Sequence, residues 1–191
     1  MIALSYEARK AREKVAWSKV KREFERHGYQ VAALALERSS AFPEVEPLLL
    51  QANDPPLLLM IISMPDGFAF NPEKGIGYLF EVKSPTQGRA TVAIRLRDLL
   101  ALHLWQALIV VVSEHEIRAT LAKEMPPPKR IIVPREPSTP WDAGALKWAL
   151  EQFPDIEPIE GVEVAFGSKA PFGLWELGAF ASLEHFLGGE R

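Results

Sequence analysis

The chain has 191 residues, 48% of them hydrophobic, with four histidines, no cysteine and a formal net charge of −3. That length and apolar content can bury the core of one generous domain, while the missing cysteine excludes disulfides, thiolate nucleophiles and sulfur-built zinc sites, so a bound metal is expected on oxygen ligands. The apolar runs near residues 56–63 and 107–112 fall short of the roughly 20 residues that span a bilayer, and the start lacks a signal-peptide core; the reading is a cytoplasmic protein with no membrane partner.

Charge is unevenly spread. Residues 1–38 hold nine Lys/Arg against five Asp/Glu, whereas residues 139–191 hold three against nine. A basic front end is compatible with a phosphate-binding face.

In chain order, residues 5–27 predict a helix, with Glu13, Trp17, Val20 and Phe24 recurring at spacings of four, three and four, and Gly28 placed to end it. Glu13 shares that stripe and is expected to face inward. Residues 29–36 read as a strand and residues 47–63 as a hairpin of two apolar runs. Residues 68–70 and 77–84 read as strands joined by the Asn71-Pro72-Glu73-Lys74-Gly75 turn. Residues 92–105 then predict a helix, and residues 106–113 a buried strand with an Ile-Val-Val-Val centre. This gives an α/β core in the order αβββαβ over residues 1–124. A Pro-rich linker over residues 125–140 and an acidic helical extension over 141–191 follow, the extension built from helices at 141–153 and 171–187. Phe172, Trp175, Phe180 and Phe186 are expected to pack from the second of these helices.

The chemistry is concentrated in residues 64–85, MPDGFAFNPEKGIGYLFEVKSP. Alternate side chains of a strand share a face, so Glu81 and Lys83 point the same way from an otherwise apolar segment. Burying such a pair costs several kcal/mol unless a partner or metal offsets it. Asp66 reaches the same spot if the 71–75 turn folds its strand back. Two carboxylates and a backbone carbonyl form the hard, oxygen-rich set that Mg²⁺ takes, and a lysine beside them can orient or deprotonate a water or steady a phosphoryl group.

Pro65-Asp66, fourteen intervening residues and Glu81-Val82-Lys83 together resemble the signature of the PD-(D/E)XK, restriction-endonuclease-like superfamily. The resemblance implies a restriction-endonuclease-like fold with a mixed central sheet flanked by helices. It also implies a metal-dependent endonuclease acting on DNA, with Mg²⁺ (or Mn²⁺) held by Asp66, Glu81 and the Val82 carbonyl. Lys83 would assist the water, and Glu13 would be the acid from the first helix. Within the superfamily the chain is most similar to Holliday junction resolvases, which implies branched DNA as partner and a homodimer. Lys10, Lys14, Lys21, Arg22, Arg89, Arg95 and Arg97 are candidate phosphate contacts. Two alternatives stay open: a non-catalytic nucleic-acid-binding or assembly protein that retains the fold, and a metal-dependent phosphoesterase acting on RNA or small nucleotides.

Overall fold

Helix α1 (Tyr6–Arg26) buries Ala16, Val20 and Phe24 along an i, i+4 row. In the computed structural model, which describes residues 6–34, 59–60, 63–85, 90–134, 140–160 and 170–188, Gly28 ends this helix as its sequence suggests. Gly28 takes φ +81°, its N–H donates to Glu25 O (3.0 Å), and the Tyr29 N–H donates to Phe24 O (3.1 Å). This is the paired closure of a Schellman motif, completed by the edge-on contact of Phe24 with Tyr29.

The chain then forms β1 (Gln30–Ala33), β2 (Gly67–Asn71) and β3 (Ile76–Lys83), an antiparallel meander. Its second turn is held by Asn71, whose Oδ1 accepts from the Glu73 and Lys74 N–H groups while its Nδ2 donates to His27 O. Strand β5 (Leu108–Val112) lies parallel to β3, and β6 (Ile117–Leu121) and β10 (Ala181–Ser182) extend the sheet in the order β1-β2-β3-β5-β6-β10. A second sheet has the order β4-β9-β7-β8, formed by β4 (Thr91–Arg95), β9 (Phe172–Glu176), β7 (Arg130–Val133) and β8 (Pro158–Glu160).

The six-stranded sheet is covered on both faces at β5. Leu108, Val110 and Val112 pack with α1 and the short helix α4 (Leu183–Leu187). Ile109 and Val111 pack with α2 (Leu96–Leu104), α3 (Pro140–Gln152) and the second sheet. A strand buried on both sides reads as an unbroken apolar run, which is why β5 was legible.

Three expectations are corrected. Residues 92–105 are not one helix: Val92 and Ile94 alternate inward with Ala93 and Arg95 outward, so 91–95 form β4 and the helix starts at Leu96. The expected linker contains β7, which pairs with both β8 and β9. Of the expected C-terminal extension the helix at 141–153 is present as α3, but the helix expected at 171–187 is not, because residues 172–176 alternate as a strand against β4 and residues 181–182 pair with β6. Trp175 is fully buried there, its Nε1 donating to Pro126 O (2.8 Å). The hairpin expected over residues 47–63 lies almost entirely outside the described residues. Among those described, no helix is long and apolar enough to cross a membrane.

Candidate functional site

The β2–β3 register pairs Gly67 with Phe80, so Asp66, one residue earlier, comes level with Glu81. The Asp66 N–H donates to Glu81 Oε2 (3.2 Å), and Asp66 Oδ2 accepts from the Val82 N–H (2.8 Å). Lys83 Nζ donates to Glu81 Oε1 at 2.7 Å. Asp66, Glu81, Val82 and Lys83 are therefore brought together at one end of the central strand pair. Of Val82, the amide rather than the carbonyl is engaged by Asp66.

Glu81 and Lys83 share a face with Leu79 and lie beside Ile109 and Val111 of β5, on the side covered by α2. From that helix comes a residue the sequence did not single out. Asp98, in the first turn of α2, places Oδ2 3.7 Å from Lys83 Nζ, and its Oδ1 is 3.6 Å from Arg97 Nε. Its signal was hidden by the misplaced helix start: once β4 is separated, Asp98 is the acid of the first helical turn, where carboxylates are favoured.

The electrostatics follow from burial. Glu81 is only 16% exposed, and desolvation pushes its carboxyl up to about 7, with Asp66 and Asp98 adding to the shift and Lys83 opposing it. For Lys83, burial acts to lower the pKa, yet the neighbouring Glu81, Asp98 and Asp66 carboxylates outweigh it and hold the amine above its ordinary value. Lys83 is thus an ammonium at neutral pH.

Glu13 does not join this cluster. It is exposed, and α1 packs on the opposite face of the sheet, against Ala69, Tyr78 and Phe80. The helix crosses the sheet along its i±4 row, so Arg12 rather than Glu13 continues the line of Ala16, Val20 and Phe24. The Arg12 guanidinium donates to Pro85 O (3.0 Å), just beyond Lys83. Of the other candidate cations, Lys10, Lys14, Arg22 and Arg95 are exposed, Lys21 pairs with Glu25, and Arg89 lies outside the described residues. His103 packs edge-on against Trp148.

A second acidic group, Glu23, His27 and Glu184, gathers ligand-type atoms near the other end of α1, about 20 Å along the helix from Arg12. There the Arg26 guanidinium already lies 3.2 Å from Glu23 and 3.1 Å from Glu184, so a cationic group stands between these carboxylates. No protein-family model matches the chain, and neither a curated protein nor a solved structure matches it.

Proposed function

We propose that the chain is a metal-dependent endonuclease of the PD-(D/E)XK type that hydrolyses DNA phosphodiester bonds, with branched DNA of the Holliday junction kind as the leading substrate. The observation that carries this reading is the convergence of Asp66, Glu81 and Lys83, linked by the Asp66 N–H and the Lys83 ammonium on the two oxygens of one carboxylate. Support also comes from the order of elements around it. A helix, a three-stranded meander, a strand of the second sheet, a helix and a strand parallel to β3 place the motif at the centre of a mixed sheet.

The donor set fits Mg²⁺ or Mn²⁺. Asp66 and Glu81 offer hard carboxylate oxygens, Val82 a neighbouring carbonyl, and the raised pKa of Glu81 marks a desolvated carboxylate that a cation would stabilise. Such an ion, when bound, polarises a phosphoryl oxygen and lowers the pKa of a bound water. Lys83, as an ammonium, acts as a donor: it orients a water or stabilises charge growing on the phosphoryl oxygens. Asp98 fixes the position of Lys83 from the far side, and Arg12 anchors the backbone that follows it.

A second reading, a non-catalytic DNA-binding or assembly protein with the same core, is favoured by one feature. The Glu81 carboxylate is already neutralised by Lys83, so the cluster is self-consistent without an ion. Cleavage of labelled four-way junction, linear duplex, single-stranded DNA and RNA decides between them, with Mg²⁺, Mn²⁺ or EDTA, for the wild type beside Asp66→Ala. Metal-dependent cutting of DNA that disappears in the variant supports the nuclease. DNA binding with no cutting supports the second reading, and cutting of RNA alone sinks the DNA assignment.

A further inference from the structure

Phe68 and Phe70 are each 37% exposed, among the few large apolar side chains that the described residues leave open. On β2 they alternate with the buried Gly67, Ala69 and Asn71, so they project from the face of the sheet that carries Asp66 and Glu81. The register makes the alignment definite: Phe68 lies opposite Leu79 and Phe70 opposite Gly77, the two steps that lead down β3 from Glu81. The rings are nearly parallel, 14° apart in plane, with centroids separated by 6.4 Å. Gly77 holds them down, since a Cβ there would stand 3.0 Å from the Phe68 ring and 3.4 Å from Phe70. Two partly exposed, nearly parallel rings thus run directly away from the carboxylates.

We infer that Phe68 and Phe70 form a stacking platform for two unpaired nucleobases next to the scissile phosphate, which makes a branched substrate with unpaired bases at the cut preferred over one whose arms are fully paired. The inference rests on the nuclease reading of the Asp66 site. Spacing favours unpaired bases over duplex: 6.4 Å is nearly twice the roughly 3.4 Å rise per nucleotide of a stacked strand, so consecutive bases can each take a ring only when the strand is extended. Aromatic rings that take bases by their faces are the common device for binding unpaired strands. The adjacent backbone would pass Lys83 and the Arg12-anchored loop, where the site's positive charge lies. A duplex keeps its bases stacked within and presents only phosphates to such a surface.

The test measures fluorescence anisotropy of a labelled oligonucleotide, single-stranded or annealed to its complement, with Ca²⁺ in place of Mg²⁺. It compares wild type, F68L/F70L and F68W/F70W, and cleavage by wild type and Asp66→Ala is followed separately. Leucine keeps the apolar contact with the sheet but removes the ring face, so F68L/F70L should bind the single strand about tenfold or more weakly, with duplex binding unchanged. F68W/F70W, with larger faces, should bind the single strand more tightly than wild type, a readout that survives if the leucine variant is poorly folded. Equal single-strand affinity in all three, beside Asp66-dependent cutting by the wild type, overturns the platform and leaves the nuclease standing. Single-strand binding that follows the ring face, with no cutting by the wild type, keeps the platform and removes the nuclease. A wild type that binds neither oligonucleotide removes the platform outright. If sedimentation shows a dimer that F68L/F70L converts to a monomer, the face belongs to a second copy of this chain and the platform is overturned.

Discussion

At the scale of single residues, the candidate site is a balance of two buried charges that shift each other. Glu81 has a folded-state pKa of about 7, above its ordinary 4.5, chiefly because burial disfavours the carboxylate. The folded protein therefore holds that proton more tightly than the unfolded chain does. The stability it contributes is fully present below pH 4.5 and is lost as pH rises through 7, an effect on the order of 3 kcal/mol at most. In EDTA, the stability of wild type relative to Glu81→Gln should fall across that window and level off above it, read from urea unfolding at a series of pH values. A difference that does not change with pH would mean the carboxyl is ionised throughout and is not desolvated. Asp98 makes a separate prediction. Because it touches Lys83 and not the motif carboxylates, Asp98→Asn should lower turnover on DNA by about 10-fold or more, with KM little changed, as the loss of a supporting partner does. An unchanged turnover number would leave Asp98 a surface ion-pair partner only.

Among the elements, what the sequence made legible and what it hid have physical causes. The stop at Gly28 was visible because a left-handed φ after a helix selects glycine. The β2–β3 hairpin was visible because Asn71 and Gly75 carry its turn chemistry, and β5 because it is buried on both faces. Strand β4 was hidden because Thr91–Arg95 runs straight into α2, with no glycine or proline between them. Glu13 was misplaced because an axial stripe and an i±4 row diverge over the length of α1, and only packing selects the row. At the end of α2 the same Schellman closure recurs without glycine: Gln106 takes φ 52°, its N–H donating to His103 O while the Ala107 N–H donates to Leu102 O. A left-handed L residue costs roughly 1–2 kcal/mol, so Gln106→Gly should stabilise the protein by about 1 kcal/mol and raise Tm by roughly 2–4 °C. Gly28→Ala should destabilise by a comparable amount, also crowding Asn71 Nδ2, which a Cβ would meet at 3.3 Å. Equal Tm values across the three proteins would show that neither helix end depends on its left-handed residue.

Across the whole molecule, the C-terminal residues decide whether the site-bearing half can stand alone. The site belongs to residues 66–98, yet β4, which leads into the Asp98 helix, has among the described residues its only strand partner in β9 at 172–176. Trp175 and Phe180 fill the layer on the α2 side of the central sheet, and Leu183 and Leu187 fill the layer beneath α1. Tyr78 Oη and Lys74 Nζ on the β2–β3 hairpin donate to the carbonyls of Phe186 and Leu187 (3.1 and 2.7 Å). Truncating a single buried Leu costs about 2–5 kcal/mol, and a Phe or Trp about 3–5, against a total stability of roughly 5–15 kcal/mol for a typical domain. Losing all four side chains together with β10 of the first sheet and β7, β8 and β9 of the second exceeds that margin. A chain ending at Glu124 should therefore show no cooperative urea transition by far-UV circular dichroism, and no Asp66-dependent cleavage even if the full chain cuts. Cooperative unfolding of the shortened chain would mean that residues 1–124 fold alone and that the C-terminal strands only dock onto a finished core.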